Sequence, residues 1–235
     1  MWITAHSTQM KIDLVIPALN EEQAIAKLLL ELPPNMLRRV LVVDNGSTDN
    51  TAKMASQGGA EVLSELRRGY GYAVWAGIED LMDDPPDAVA IMAGDCSDDP
   101  RELSLLTEVM EAQDVDMVVG TRVRVQAGSM PMVQRVGNLI VPFLLRKLMG
   151  VETTDLGSFR LVRWSALMNM NLHDRGMGMT VEMLIKCERL NLKVAEAPTT
   201  HRVRMGEQKI SGTLRGSTRA AAKILWTIVR YRFFE

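Results

Sequence analysis

Short aliphatic, β-branched runs alternate with segments of helical period across the first 120 residues, and this alternation most restricts how the chain can fold. KIDLVIP, from Lys11 to Pro17, reads as a buried strand. Asn20, Glu21 and Glu22 then open a helix whose apolar positions Ile25, Leu28, Leu29 and Leu32 recur at helical spacing, until Pro33 and Pro34 stop it. A second strand starts at Val40 and is followed by a helix to about Gln57. A third strand covers about Ala60 to Leu63, and RRGYG, from Arg67 to Gly71, leads into a helix carrying Ala73, Val74, Ile78 and Leu81. Asp87 to Ala93 reads as a fourth strand, Pro100 falls in the first turn of the next helix, and Asp116 to Gly120 is a fifth strand. Repeated strand–helix–strand units imply an α/β fold, with a mostly parallel sheet and helices on both faces.

Within this frame VLVVDNGSTDNT, Val40 to Thr51, is the most informative stretch. Four β-formers run into Asp44, Asn45-Gly46-Ser47 turn the chain, and Asp49 is placed to cap the helix that follows. Turns of this kind lie at the carboxyl edge of an open sheet, where ligands bind. A carboxylate there can accept hydrogen bonds from a nucleobase or sugar, or can simply cap its own turn.

The second half is less regular. Met132 to Met149 has helical periodicity with a broad apolar face, and Pro142 is expected to kink or break it. TDLGSFRLVR reads as a turn into a strand, Met179 to Leu190 as a helix carrying Glu182, and Lys193 to Ala197 as a strand. The polar loop HRVRMGEQKISG and a helix ending ILWTIVRYRFFE follow.

The 235 residues suit one large domain, expected over residues 10–212, with 213–235 as a basic amphipathic helix packed on the domain or on a membrane surface. A net charge of -2 argues against wholesale nucleic-acid binding, although His201 to Glu235 holds eight Lys/Arg against two acids. Cys96 and Cys187 have neither metal-ligand spacing nor a disulfide pattern, which fits the cytosol. No apolar run approaches a bilayer span, and the opening MWITAHSTQM lacks a basic start and an apolar signal core, so the expectation is a protein that is not exported by this route.

Carboxylates at strand ends suit Mg²⁺ or Mn²⁺ shared with a nucleotide, because these hard cations take oxygen ligands. Asp95 is placed for this, or alternatively caps the helix at Pro100, a task open to Asp98 and Asp99 as well. Arg67, Arg68, Arg122, Arg135, Arg202, Arg204 and Lys209 are candidates to neutralise phosphates.

PALNEE, VVDNGSTDNT, RRGYGYAVWAG, GDCSDDP, GTR, TDLGSFR, GMTVE and RVRMGEQKISG, in this order and at these distances, resemble the family 2 glycosyltransferases of GT-A (Rossmann-like) fold. The resemblance covers about Met10 to Arg215. It is nearest to the branch with dolichyl-phosphate mannose synthase and bacterial polyprenyl-phosphate glycosyltransferases. It implies that Pro17, Ala18, Asn20, Glu22 and Asp44 contact the nucleotide and that Arg68 and Gly69 lie in the loop beside its phosphates. It makes Asp95 a metal-motif acid, and Arg122 and Arg135 receivers of an acceptor phosphate. Asp155, Phe159 and Arg160 then flank the acceptor, Glu182 lies near the reacting centre, and Arg204 and Lys209 belong to a mobile loop over the diphosphate.

Three positions depart from the family pattern. Ala93 stands where an acid is usual, Asn45 replaces the second acid of an Asp-Asp pair, and Gln208 replaces a Ser before the loop lysine. With Ala93, weaker metal affinity, a substitute ligand such as Asp98 or a water, and loss of catalysis are all open. The implied activity is transfer of a glucose- or mannose-type sugar, with inversion, from a UDP- or GDP-sugar to a polyprenyl-phosphate or other lipid-linked acceptor, assisted by Mg²⁺ or Mn²⁺. It would take place on the cytoplasmic membrane face. The alternatives are a soluble enzyme acting on a hydroxyl, with Glu182 or Asp155 as base, and a catalytically silent nucleotide-sugar-binding protein. The apolar faces of 132–149 and of the tail suit an anionic membrane surface or a second copy of the chain.

Overall fold

The computed structural model describes residues 10–206 and 214–234. Its seven strands are β1 (Ile12–Ala18), β2 (Leu37–Asp44), β3 (Glu61–Ser64), β4 (Ala88–Ile91), β5 (Met117–Val125), β6 (Arg160–Arg163) and β7 (Val194–His201), ordered β3-β2-β1-β4-β6-β5-β7 in one sheet. β3, β2, β1 and β4 pair in parallel, as do β5 and β7, while β6 runs antiparallel to both of its neighbours.

Residues 14–16 of β1, 40–43 of β2 and 88–91 of β4 are continuous apolar runs because both faces of the sheet are covered there. Leu14, Ile16 and Val42 face α1 (Glu22–Leu30), α2 (Thr51–Gln57) and α4 (Leu103–Gln113). Their neighbours Val15, Leu41 and Val43 face the opposite side, towards α3 (Tyr70–Asp80), α5 (Met132–Met149), α6 (Trp164–Asn169), α7 (Met179–Arg189) and α8 (Leu214–Phe233). The chain leaves β1 towards β2 and β3, then crosses back to place β4 on the other side of β1. The loops after β1, β2 and β4 therefore meet at a switch point, where α/β sheets bind ligands.

Four local differences from the expected elements have physical causes. α5 runs unbroken through Pro142, held by Val141 and Leu145, which are buried in the core before and after the proline. β5 continues to Val125 because β7 pairs with it along its whole length. The short α6 has too few turns to show a period in the sequence. Asp49 accepts from the backbone N–H of Thr51 at 3.0 Å, although the residue at the helix boundary is Asn50. The C-terminal α8 buries Ile228 and Tyr231 in the core shared with α5 and α7 and leaves Trp226 and Phe233 exposed.

Candidate active site

The loops after β1 and β2 are tied together by side chains. The Asn20 N–H donates to Ser47 Oγ at 2.9 Å, and Asn20 Oδ1 accepts from the Thr48 N–H at 2.7 Å. Glu22 Oε2 accepts from both the backbone N–H and the side-chain amide of Asn50 at 3.0 Å. Asp44 Oδ1 accepts from the Ser47 N–H at 2.9 Å, so the carboxylate caps its turn while remaining partly exposed at the sheet edge. The Asn45 N–H donates to the Ala18 carbonyl at 2.8 Å and joins the ends of β1 and β2. Gly46 has φ +77°, and the Arg68 guanidinium lies over it: a Cβ there would be 3.4 Å from Arg68 Nε. Pro17, Ala18, Asn20, Glu22, Asp44, Arg68 and Gly69 thus gather around one sheet edge.

Asn45 is the residue whose importance the sequence did not reveal. It is buried, its amide donates to the carbonyls of Glu65 and Arg67 at 2.8 Å each, and its Oδ1 accepts from the Gly69 N–H at 2.9 Å. That set of two donations and one acceptance fits an amide. A carboxylate cannot donate to the two carbonyls.

Asp95 follows β4. Capping of the turn at Pro100–Glu102 falls to Asp99, which accepts from the Arg101 N–H at 3.1 Å, so Asp95 is spared that task. Asp95 Oδ1 accepts from the Ser97 N–H at 2.9 Å, and Oδ2 lies 3.1 Å from Arg204 Nη2, which also reaches Glu21 at 3.3 Å. Asp98 is buried against Ser158. Burial and then the neighbouring charge of Asp95 push its carboxyl up to about 7. Burial also opposes the charge of Asp99, but hydrogen bonds from Arg101 and Arg202 outweigh it and hold that carboxyl at about 2. No cluster of three or more His, Cys, Asp or Glu able to hold a metal exists among the described residues. Asp95 therefore fits a divalent cation as one of at most two carboxylate ligands among the described residues, the remaining positions coming from diphosphate oxygens and water, an arrangement Mg²⁺ commonly adopts. Lys209 lies outside the described residues.

The other wing is built around Asp155. Its carboxylate takes Arg122 in a fork, with Nε to Oδ2 at 2.7 Å and Nη2 to Oδ1 at 2.5 Å, and the Arg122 backbone N–H adds a bond at 2.9 Å. Burial opposes this charge, but Arg122 prevails and holds the Asp155 carboxyl below its ordinary value. A cleft of about 330 Å³ lies between β5 and α5, lined by Arg122, Asp155 and Arg135 together with apolar Val123, Val125 and Leu139. Arg135 is exposed, and its Nε donates to the Met130 carbonyl at 3.2 Å. Gly157 lets the TDLGSF turn close on β5, since a Cβ there would lie 2.0 Å from the Gly120 carbonyl oxygen.

Two residues assigned to the acceptor point elsewhere. Phe159 is fully buried in the core beneath α4. Arg160 is buried too, donating to the Gly157 carbonyl at 2.9 Å and the Thr180 carbonyl at 2.6 Å while Nη2 has no partner among the described residues. Desolvation holds its guanidinium pKa below the ordinary value. Glu182, expected at the reacting centre, has no exposed surface and bonds to His173, Asp174 and Tyr231.

Comparison with known proteins adds a consistent pattern. Residues 13–170 match the family model of Glycosyl transferase family 2. An uncharacterized glycosyltransferase of Mycobacterium tuberculosis is 36% identical over 207 residues, covering 88% of this chain and 92% of its own. A dolichyl-phosphate hexose transferase of Haloferax volcanii is 31% identical, covering 83% and 85% respectively. Glucosyl-3-phosphoglycerate synthase from Mycobacterium tuberculosis, solved with Mn²⁺, UDP and glucosyl-3-phosphoglycerate, superimposes with a TM-score of 0.76 at 22% identity, covering 95% of this chain and 80% of its own.

Proposed function

The chain belongs to glycosyl transferase family 2, a nucleotide-sugar-dependent enzyme of GT-A fold, and on that premise we propose that it transfers a hexose from a UDP- or GDP-sugar to a polyprenyl phosphate. The observation that carries this reading is the cleft between β5 and α5. Its Arg122 and Arg135 suit a phosphate, while Val123, Val125 and Leu139 beside them suit an isoprenoid chain. The 31% identical dolichyl-phosphate hexose transferase supports the same acceptor class.

The reaction is a single in-line displacement with inversion. A phosphate oxygen of the acceptor forms the new bond to the anomeric carbon as the bond from that carbon to the diphosphate breaks, and the electron pair leaves with the nucleoside diphosphate. The acceptor oxygen is already ionised, so no strong base is required. That suits a site where Asp155 is engaged by Arg122 and Glu182 is buried. Asp44 and the 17–22 segment hold the nucleoside, Arg68 and Gly69 flank the diphosphate, and Arg204 with Lys209 offset the charge that develops on it. A divalent cation at Asp95 would supply Lewis-acid stabilisation of the same leaving group.

α5 and α8 suit peripheral contact with the cytoplasmic membrane face. They contain no acid, three and five basic residues respectively, and exposed Leu139, Phe143, Trp226 and Phe233. No described helix is long and apolar enough to cross a membrane. Incubation of purified protein with UDP-glucose or GDP-mannose and a polyprenyl phosphate in detergent, followed by mass spectrometry, should yield a glycosyl-phosphopolyprenol. The unphosphorylated polyprenol should remain unreacted. Transfer only to free hydroxyl acceptors would refute this reading.

A further inference from the structure

Glu182 stands in the first turn of α7 with both carboxylate oxygens occupied. Oε1 accepts from the Tyr231 hydroxyl at 2.6 Å and the His173 N–H at 2.8 Å, with the Lys186 ammonium 3.4 Å away. Oε2 accepts from the Asp174 N–H at 2.7 Å. Asp174 carries the pattern onward: Oδ1 accepts from the Gly176 N–H at 2.7 Å, and Oδ2 lies 2.9 Å from Lys223 Nζ on α8. A Cβ at Gly178 would fall 2.4 Å from both Asp174 Oδ2 and Thr227 Oγ1, so α8 is pressed onto this turn. Two carboxylates and α8 together define the course of residues 172–178.

That segment bears on the start of α3. The Tyr72 N–H donates to the Arg175 carbonyl at 3.0 Å, and the Arg175 guanidinium stacks 4.5 Å over the Trp75 ring. A Cβ at Gly69 would lie 2.6 Å from the Arg175 carbonyl oxygen, and one at Gly71 would lie 2.7 Å from Arg175 Cα. Gly69 adopts φ +152°, a conformation that itself favours glycine. Asn45 grips the same loop from the other side, through the Gly69 N–H and the Arg67 carbonyl. The Arg67–Gly71 loop is thus held between Asn45, next to Asp44, and the backbone of Arg175.

We propose that Tyr231 and Glu182 are positioning residues for the donor: through the 172–178 segment, α8 sets where Arg68 and Gly69 stand against the diphosphate of a nucleotide sugar. The inference rests on the donor role given to the Arg67–Gly71 loop. It places Glu182 away from the reacting atoms and makes α8 a strut for the nucleotide side of the site, far along the chain from the residues it orders.

Tyr231→Phe tests this, because it removes one hydroxyl and keeps the ring beside Arg189 and Lys186. Loss of one hydrogen bond should speed hydrogen exchange at the Tyr72 and Gly69 amides about three- to tenfold, and weaken binding of UDP or GDP by a similar factor. The KM for the donor should rise with little change in kcat, and the KM for the acceptor should hold. Leu106→Ala, in the core on the opposite face of the sheet, serves as the control: it should lower Tm without altering loop exchange or nucleotide affinity. Unchanged exchange and affinity in Tyr231→Phe would overturn the proposal. So would faster exchange with unchanged affinity, which leaves only a structural strut. A wild-type protein that binds neither nucleotide would overturn the donor reading beneath it, while the exchange rates report separately on whether Tyr231 holds the loop.

Discussion

Asn45 illustrates how a change that looks mild in sequence can be demanding in structure. An acid at this position would set a carboxylate against the carbonyls of Glu65 and Arg67, both of which now accept from the Asn45 amide. Asn45→Asp should cost about 1–3 kcal/mol in chemical denaturation and raise the donor KM, because a buried acceptor is left facing acceptors. Asp98 makes a prediction about pH. Burial and the charge of Asp95 raise its carboxyl to about 7 in the folded protein, against an ordinary value of 3.8. The folded state therefore binds a proton that the unfolded state lacks in this window. The stability so gained is complete below pH of about 4 and is lost as pH rises towards 7. In EDTA, Asp98→Asn should flatten that decline, as judged from Tm measured between pH 4 and 7. The sequence pointed to Asp44 and Asp95 because carboxylates at strand ends and turns are recognisable, and to Asp155 through the family resemblance. It could not tell that Glu182 and Arg160 turn inward, since a charged residue buried by partners distant in the chain has the same letter as one facing substrate.

At the scale of elements, the βαβ half was readable because both faces of its sheet are covered and its central strands carry continuous apolar runs. The later half was harder to read because an antiparallel strand interrupts its parallel pairing. β6 inserts antiparallel between β4 and β5, and nothing in Arg160–Arg163 signals direction. Pro142 shows the same limit, since core contacts on either side of it override a local breaker. α5 carries a prediction of its own. Leu139 is 75% exposed and Phe143 51% exposed on a helix with no acid, beside the cleft between β5 and α5. Replacing both with Glu should reduce co-sedimentation with anionic vesicles about tenfold or more, since each change removes apolar burial and adds repulsion. Binding to neutral vesicles should be weaker than to anionic ones in the wild type. Equal sedimentation of the two proteins would remove α5 from the membrane interface.

For the whole molecule, the charge is divided. α5 and α8 hold eight basic residues and no acid, whereas the remainder has 19 Lys/Arg against 29 Asp/Glu, so a chain of net charge -2 presents a cationic, apolar side and an anionic body. Two copies joined through the α5–α8 side would bring like charges together, whereas an anionic lipid surface would not. Within the anionic body Arg204 lies beside Asp95. Metal-assisted transfer requires Asp95 to hold the cation without an acid at position 93. Isothermal titration with UDP-glucose and GDP-mannose, each with and without Mn²⁺, addresses this most directly. One donor should bind, Mn²⁺ should tighten its binding, and Asp95→Asn should abolish the effect of the metal. Binding that is indifferent to Mn²⁺, or no binding of either donor, would contradict metal-assisted transfer.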